Sequence, residues 1–200
     1  MLRTPKVVSV MAAGIVLVAT LGACGSGGDS YRRLTVDGHQ IEPGADLADV
    51  NLIGADLSRA DLEGANLDGA DLRRANLKGA NLRKASIDDT DFRKAKAKDA
   101  VFAGASSEIA DFSGADLRGA NFAAARFGGF YGGVDFSGAV LTKANLTGAN
   151  LTYSIIRNAT FHRAKLARAN LAGVKCNFVT DFSDADLGGA RGTSAIRSCS

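Results

Sequence analysis

Cys24, Cys176, Cys199, His39, His162 and the twenty-one carboxylates are the side chains here that could do chemistry. The two histidines lie in different parts of the chain. No Cys/His spacing fits a metal site, no Gly-Lys-Ser/Thr loop cradles a phosphate, and no Gly-x-Ser-x-Gly elbow presents a nucleophile. Most aspartates recur one per short repeat, before a large apolar residue, as in Asp56-Leu57 and Asp61-Leu62. That placement suits turn geometry and hydration rather than an acid–base pair. The reading is a protein with no catalytic residues, no metal and no cofactor. What remains is thiol chemistry at three cysteines, and the segments around them decide what kind.

Cys24 ends Leu21-Gly22-Ala23-Cys24. Upstream, Arg3 and Lys6 precede an uncharged run from Val7 to Leu21. A positive start, an apolar stretch too short for a comfortable span and a small-residue cleavage site make a secretory signal. The cysteine directly after that site resembles the lipobox of bacterial lipoproteins. The resemblance implies removal of residues 1–23, a diacylglyceryl group on the Cys24 sulfur and further acylation, palmitate for example, at the new amino terminus. Each buried methylene contributes roughly 0.8 kcal/mol, so two or three chains anchor stably where one is marginal. The expected location is the bacterial cell membrane, lipid-anchored on its extracytoplasmic face, or the periplasm. An uncleaved N-terminal anchor and an ordinary secreted protein are the alternatives, and both also take the body out of the cytoplasm.

Two hundred residues suggest one domain. The formal charge of +3 includes Arg3 and Lys6, so the part beyond the signal carries only +1. So balanced a body predicts no nucleic-acid partner. Residues 24–44 read as the lipidated cysteine, a Gly/Ser tether at Gly25–Ser30 and an N-terminal cap. Leu34-Thr35-Val36, the turn signal Asp37-Gly38 and Ile41 predict a strand or hairpin there.

From Ala45 the chain repeats every five residues: Ala55-Asp56-Leu57, Ala60-Asp61-Leu62, Ala65-Asn66-Leu67, Ala70-Asp71-Leu72. On an α-helix, positions five apart lie about 140° from one another and share no face. A flat strand would send successive leucines to opposite faces. The backbone must therefore turn a corner once per repeat, bringing every Leu and Ala inward together. The pattern resembles the pentapeptide-repeat family, A(D/N)LXX, over about three quarters of the chain. That resemblance implies an all-β fold, a right-handed quadrilateral parallel β-helix with one repeat per side. Residues 45–190 then give about seven coils with a register break at 128–135, and residues 191–200 a C-terminal tail or cap. Phe92, Phe102, Phe112, Phe122, Phe127, Phe136, Phe161 and Phe182 fall on the central position and read as core. Ala97, Ser107 and Cys176 are weak centres; Ser107 needs a hydrogen-bond partner or a bulge, since an unpaired buried hydroxyl costs roughly 1–3 kcal/mol.

Gly128-Gly129-Phe130-Tyr131-Gly132-Gly133 interrupts the register. It is either a tolerated insertion or a loop offering Phe130 and Tyr131 to a partner. Cys176 and Cys199 lie close enough to the end of the stack to bridge in an oxidising compartment, or they remain two thiols. Stacking residues twenty apart puts Lys78, Lys98 and Arg118 in one column and Arg73 under Arg93 in another, with Asp68, Asp88 and Glu108 opposite. These columns are either a solubility pattern or a means of steering an anionic partner: a wall polymer, a lipid headgroup or an acidic protein. The leading function is a non-enzymatic, lipid-anchored scaffold or binding module. The family also contains cytosolic proteins that imitate DNA and bind gyrase, but export and the basic run from Arg73 to Lys98 argue against that role. An enzyme acting on polysaccharide would need carboxylates clustered in a cleft.

Overall fold

Leu47 N donates to Asn66 O at 2.7 Å, and Asn66 N donates to Ala45 O at 2.9 Å. This pair of bonds joins residues four repeats apart, and it recurs along the whole stack. The computed structural model describes residues 8–12, 15–20, 33–36, 38–129, 132–197 and 199. Among these, parallel bridges link Asp46 to Asn66, Asn51 to Asp71, Asp56 to Asn76 and Asp61 to Asn81, so four repeats complete one circuit of a β-solenoid. Apart from Ser106–Ser107 and Arg126–Phe127, which pair over two residues, each bridged repeat contributes a single bridged residue, because a corner follows immediately.

The corner explains the repeat. Ala55 N donates back to Leu52 O at 3.0 Å, closing a turn whose third residue, Gly54, has φ of 66°. Positive φ at that position marks a type II turn, which favours glycine. Arg59, Arg74 and Lys94 occupy equivalent places at φ of 59°, 59° and 60°. Where Asp or Asn precedes the centre, it braces the next turn: Asn51 Oδ1 accepts from Ile53 N and Asp56 Oδ1 from Ser58 N, each at 3.1 Å. Where Asn lies above Asp, the amide also reaches down a coil, as from Asn76 Nδ2 to Asp56 Oδ1 at 2.8 Å.

Four columns of centres line the interior. The first side carries Leu47, Leu67, Ile87, Ser107 and Phe127; the second Leu52, Leu72, Phe92, Phe112 and Phe136. The third carries Leu57, Leu77, Ala97, Leu117 and Leu141, and the fourth Leu62, Leu82, Phe102, Phe122 and Leu146. All are buried. Phe92 stacks on Phe112 at 4.5 Å and Phe102 on Phe122 at 4.8 Å, while Phe92 and Phe102 meet edge to face across the interior at 5.8 Å. Ala97 and Ser107 flank Phe102 in the centre sequence and leave room for these rings. Ser107 finds its partner: its Oγ accepts from Ala110 N at 2.8 Å, where other turns use the backbone carbonyl.

The stack breaks register twice. Bridges lengthen to twenty-four residues at Asp111–Asp135 and return to twenty at Asp135–Ile155, so the extra residues lie between Arg126 and Asp135. A further residue enters before Asp181, which pairs with Thr160. At the N-terminal end β1 (Val8–Ala12), β2 (Ile15–Thr20), β3 (Arg33–Val36) and β4 (His39–Ile41) form an antiparallel sheet in that order. Thus β1 and β2 fall within the segment read as an export signal. Val36 and Ile41 are buried over the first coil. The short strands β5 (Ser106–Ser107) and β6 (Arg126–Phe127) pair in parallel. At the other end Ala195 and Ile196 of α1 (Ser194–Arg197) pack on the core. Among the described residues, no helix is long and apolar enough to cross a membrane.

Candidate functional site

The surface chemistry sits on the residues that flank each centre, and the turn geometry fixes where they point. On the second side, Arg73 Nη2 contacts Asp71 Oδ2 at 2.6 Å within its own repeat, and Arg73 Nε lies 3.6 Å from Asp91 one coil along. Arg93 repeats the motif with Asp91 at 2.6 Å and Asp111 at 3.8 Å. The result is an alternating ladder, Asp71–Arg73–Asp91–Arg93–Asp111. On the third side Arg118 clasps Asp116 at 2.6 Å. Hydrogen bonds from these guanidinium groups hold the Asp71 and Asp116 carboxyls below the usual carboxylate range and push Arg73 and Arg118 upward.

The expected basic columns therefore divide. Arg93 and Arg118 are exposed and Arg73 half-buried, and all three are engaged with aspartate. Lys78 and Lys98 are exposed, with no carboxylate in ion-pair reach among the described residues. Arg74 and Lys94 join Ile53, Arg73 and Arg93 around a shallow depression of about 360 Å³.

The acidic column has a structural duty. On the first side, Ser86 and Ser106 replace the usual Asx, so the turn lacks its local acceptor. Asp68 Oδ1 instead accepts Asp88 N from the coil above at 2.8 Å. Asp88 Oδ1 in turn accepts Glu108 N at 2.7 Å and Ile109 N at 3.3 Å. A second depression of about 360 Å³ lies here, lined by Asp68, Asp88, Ser107, Glu108, Arg126 and Gly128 among others. Among the described residues, no group of three His, Cys, Asp or Glu side chains is arranged to hold a metal ion.

Cys176 and Cys199 are joined as a disulfide, with Cα atoms 5.5 Å apart, so the segment carrying α1 is tied to the last complete coil. Cys24, Phe130 and Tyr131 lie outside the described residues.

Sequence reasoning missed the most exposed apolar feature. Asn177-Phe178-Val179-Thr180 forms a turn closed by Thr180 N to Asn177 O at 2.9 Å. Thr180 Oγ1 donates to Ile156 O at 3.0 Å, and Asn177 Nδ2 to Asn158 Oδ1 at 2.8 Å, which fastens both ends to the coil below. The two central residues, Phe178 and Val179, are 85% and 51% exposed. The available signal was the one-residue slip between Cys176 and Phe182, with apolar residues inside it. Tyr153, 55% exposed, lies against Gly173, where an added Cβ would meet its ring at 2.5 Å.

A family model described as pentapeptide repeats matches in eight copies, over residues 45–83, 75–106, 90–129, 132–168 and 144–175. No curated protein matches the chain. Among solved structures it is similar to a trypsin-treated variant of QnrB1, a plasmid-mediated fluoroquinolone resistance protein. The identity is 22%, over 70% of this chain and 71% of that one, with a TM-score of 0.46. It is also similar to HetL, a pentapeptide repeat protein involved in heterocyst differentiation regulation from the cyanobacterium Nostoc sp. strain PCC 7120. There the identity is 24%, over 76% of this chain and 86% of that one, with a TM-score of 0.34.

Proposed function

This chain belongs to the pentapeptide-repeat family, and from that membership we propose a non-enzymatic scaffold or binding module, anchored by lipid at Cys24 outside the cytoplasm. The observation that carries the anchor is Leu21-Gly22-Ala23-Cys24 at the end of the uncharged run Val7–Leu21, behind Arg3 and Lys6. Cleavage before Cys24 removes β1 and β2. It leaves Gly25–Ser30 as tether and β3–β4 as the cap of the first coil.

The body is a right-handed quadrilateral β-helix of about seven coils. The bridge column Asp46–Asn66–Ser86–Ser106–Arg126–Asn150–Asn170–Arg191 supports that count. At about 4.8 Å per coil the rod is roughly 34 Å long. Every coil is bonded to its neighbours, so the rod holds surface side chains at fixed spacing, which is what a binding module requires. Lys78 and Lys98, with no ion pair among the described residues, fit it together with Arg74 and Lys94 to an anionic partner. The Cys176–Cys199 bridge fastens the far cap in an oxidising compartment.

Fractionation tests this reading. The wild type is expected in the membrane fraction, and the Cys24→Ala protein as retained precursor or in the soluble fraction. A wild type that fractionates as freely soluble, or a Cys24→Ala protein that still takes up labelled fatty acid, overturns it.

A further inference from the structure

We propose that the edge between the second and third sides is a membrane-contact surface, with Phe178 and Val179 as an apolar wedge that enters an anionic lipid leaflet. The proposal rests on the lipid-anchored reading and names its partner.

The turn itself is the first observation. Central turn positions usually carry Gly, Pro, Asn, Asp or Ser, each for a backbone reason. Here they carry Phe178 and Val179, whose side chains are left largely in water. The turn is braced at both ends, through Asn177 to Asn158 and through Thr180 to Ile156, so its apolar tip cannot fold down onto the core. A large exposed apolar pair on a fixed support marks a contact site rather than a packing defect.

Its surroundings choose the partner. Ile155 pairs with Lys175 on the second side, which sets Lys175 and Arg157 close to the wedge. Both are exposed, and neither has a carboxylate in ion-pair reach among the described residues. Extending the bridge column Asp71–Asp91–Asp111–Asp135–Ile155–Lys175 by three residues gives Arg74, Lys94, Gly114, Gly138, Asn158 and Phe178 along one edge. Arg74 and Lys94, with no ion pair among the described residues, thus share the edge that ends in the wedge, beyond the uncharged Gly114, Gly138 and Asn158, while Arg157 and Lys175 supply the positive charge beside it. An anionic wall polymer would use the cations and leave Phe178 without a role. A leaflet with anionic headgroups and an apolar interior uses both.

The chain contains no Trp, so Phe178→Trp places a single reporter at the tip. The full chain carrying it is mixed with phosphatidylglycerol-containing vesicles whose acyl chains are brominated. A second protein carries its only Trp at Ala167, next to Leu166 on the fourth side, away from the edge. The expected result is a blue shift and loss of emission for Trp at 178, emission unchanged at 167, and recovery of the 178 signal when Arg157 and Lys175 become Glu. Water-like emission at 178 overturns the proposal. So does equal quenching at both positions, or a concentration-dependent blue shift at 178 without vesicles, which would assign the wedge to a second copy of the chain. Fatty-acid labelling at Cys24 is read separately. Quenching at 178 in an unlabelled protein would refute the anchor and keep the contact, and a labelled protein with water-like emission would do the reverse.

Discussion

Asp88 and Glu108 are joined across adjacent coils: the Asp88 carboxylate accepts the Glu108 amide at 2.7 Å. Asp68 does the same for Asp88 at 2.8 Å. Both aspartates serve turns that lost their own Asx acceptor at Ser86 and Ser106. An acidic column that reads as surface charge is in this stretch part of the hydrogen-bonded wall.

Replacing Asp88 with Ala leaves the Glu108 and Ile109 amides without that acceptor. Hydrogen bonds to charged groups contribute about 1.5–3 kcal/mol, so a loss of that size is expected in urea unfolding. Arg83→Ala, on an exposed position of the fourth side, is expected to stay within about 0.5 kcal/mol. Equal midpoints for the two variants would remove the role given to Asp88.

Ala97 is fully buried between the centres Phe92 and Phe102, whose rings meet at 5.8 Å. A leucine there has no space to enter without displacing one of them. Ala97→Leu is expected to cost about 1–3 kcal/mol by thermal or denaturant unfolding, as overpacked cores do. An unchanged or raised stability would show that the aromatic stack does not set the size of that centre.

Acid should weaken the rod through its ion-pair ladder. Asp71 and Asp116 have folded pKa values depressed first by the hydrogen bonds from Arg73 and Arg118. The unfolded chain therefore binds protons more readily than the folded one. Their contribution is fully present above the ordinary Asp value near 4 and is lost as pH falls from there through the lowered folded values. Denaturant midpoints measured from pH 6 to pH 2 should decline in that window, and the decline should be shallower in an Arg73→Met, Arg118→Met double variant. Identical profiles would assign acid sensitivity to other groups.

The five-residue period carries the fold in full view. It demands a corner per repeat, and the inward Leu, Phe and Ala of that pattern are buried through the middle of the stack, whereas Phe182 and Leu187, near the C-terminal end with little stacked above them, are only half-buried against the core. The need of Ser107 for a partner was also legible, because a hydroxyl on a centre position has nowhere wet to point. Surface roles were harder to read. Arg73 is engaged with Asp71, only two residues earlier, because the bridged residue and the turn residue project to the same side, a geometry that column stacking alone does not reveal. The Asp88 contacts depend on a missing Asx in the next coil. The exposure of Phe178 was not legible, since it follows from the side-chain brace at Asn177 and Thr180.

The central claim, a rod held at the membrane by lipid on Cys24, is tested most directly by the mass of the amino-terminal peptide of the protein extracted from its native membrane. The account predicts a peptide beginning at Cys24 and heavier by a diacylglyceryl group, with or without an added acyl chain. An unmodified peptide beginning at Met1, or a cleaved one beginning elsewhere without lipid, would contradict it.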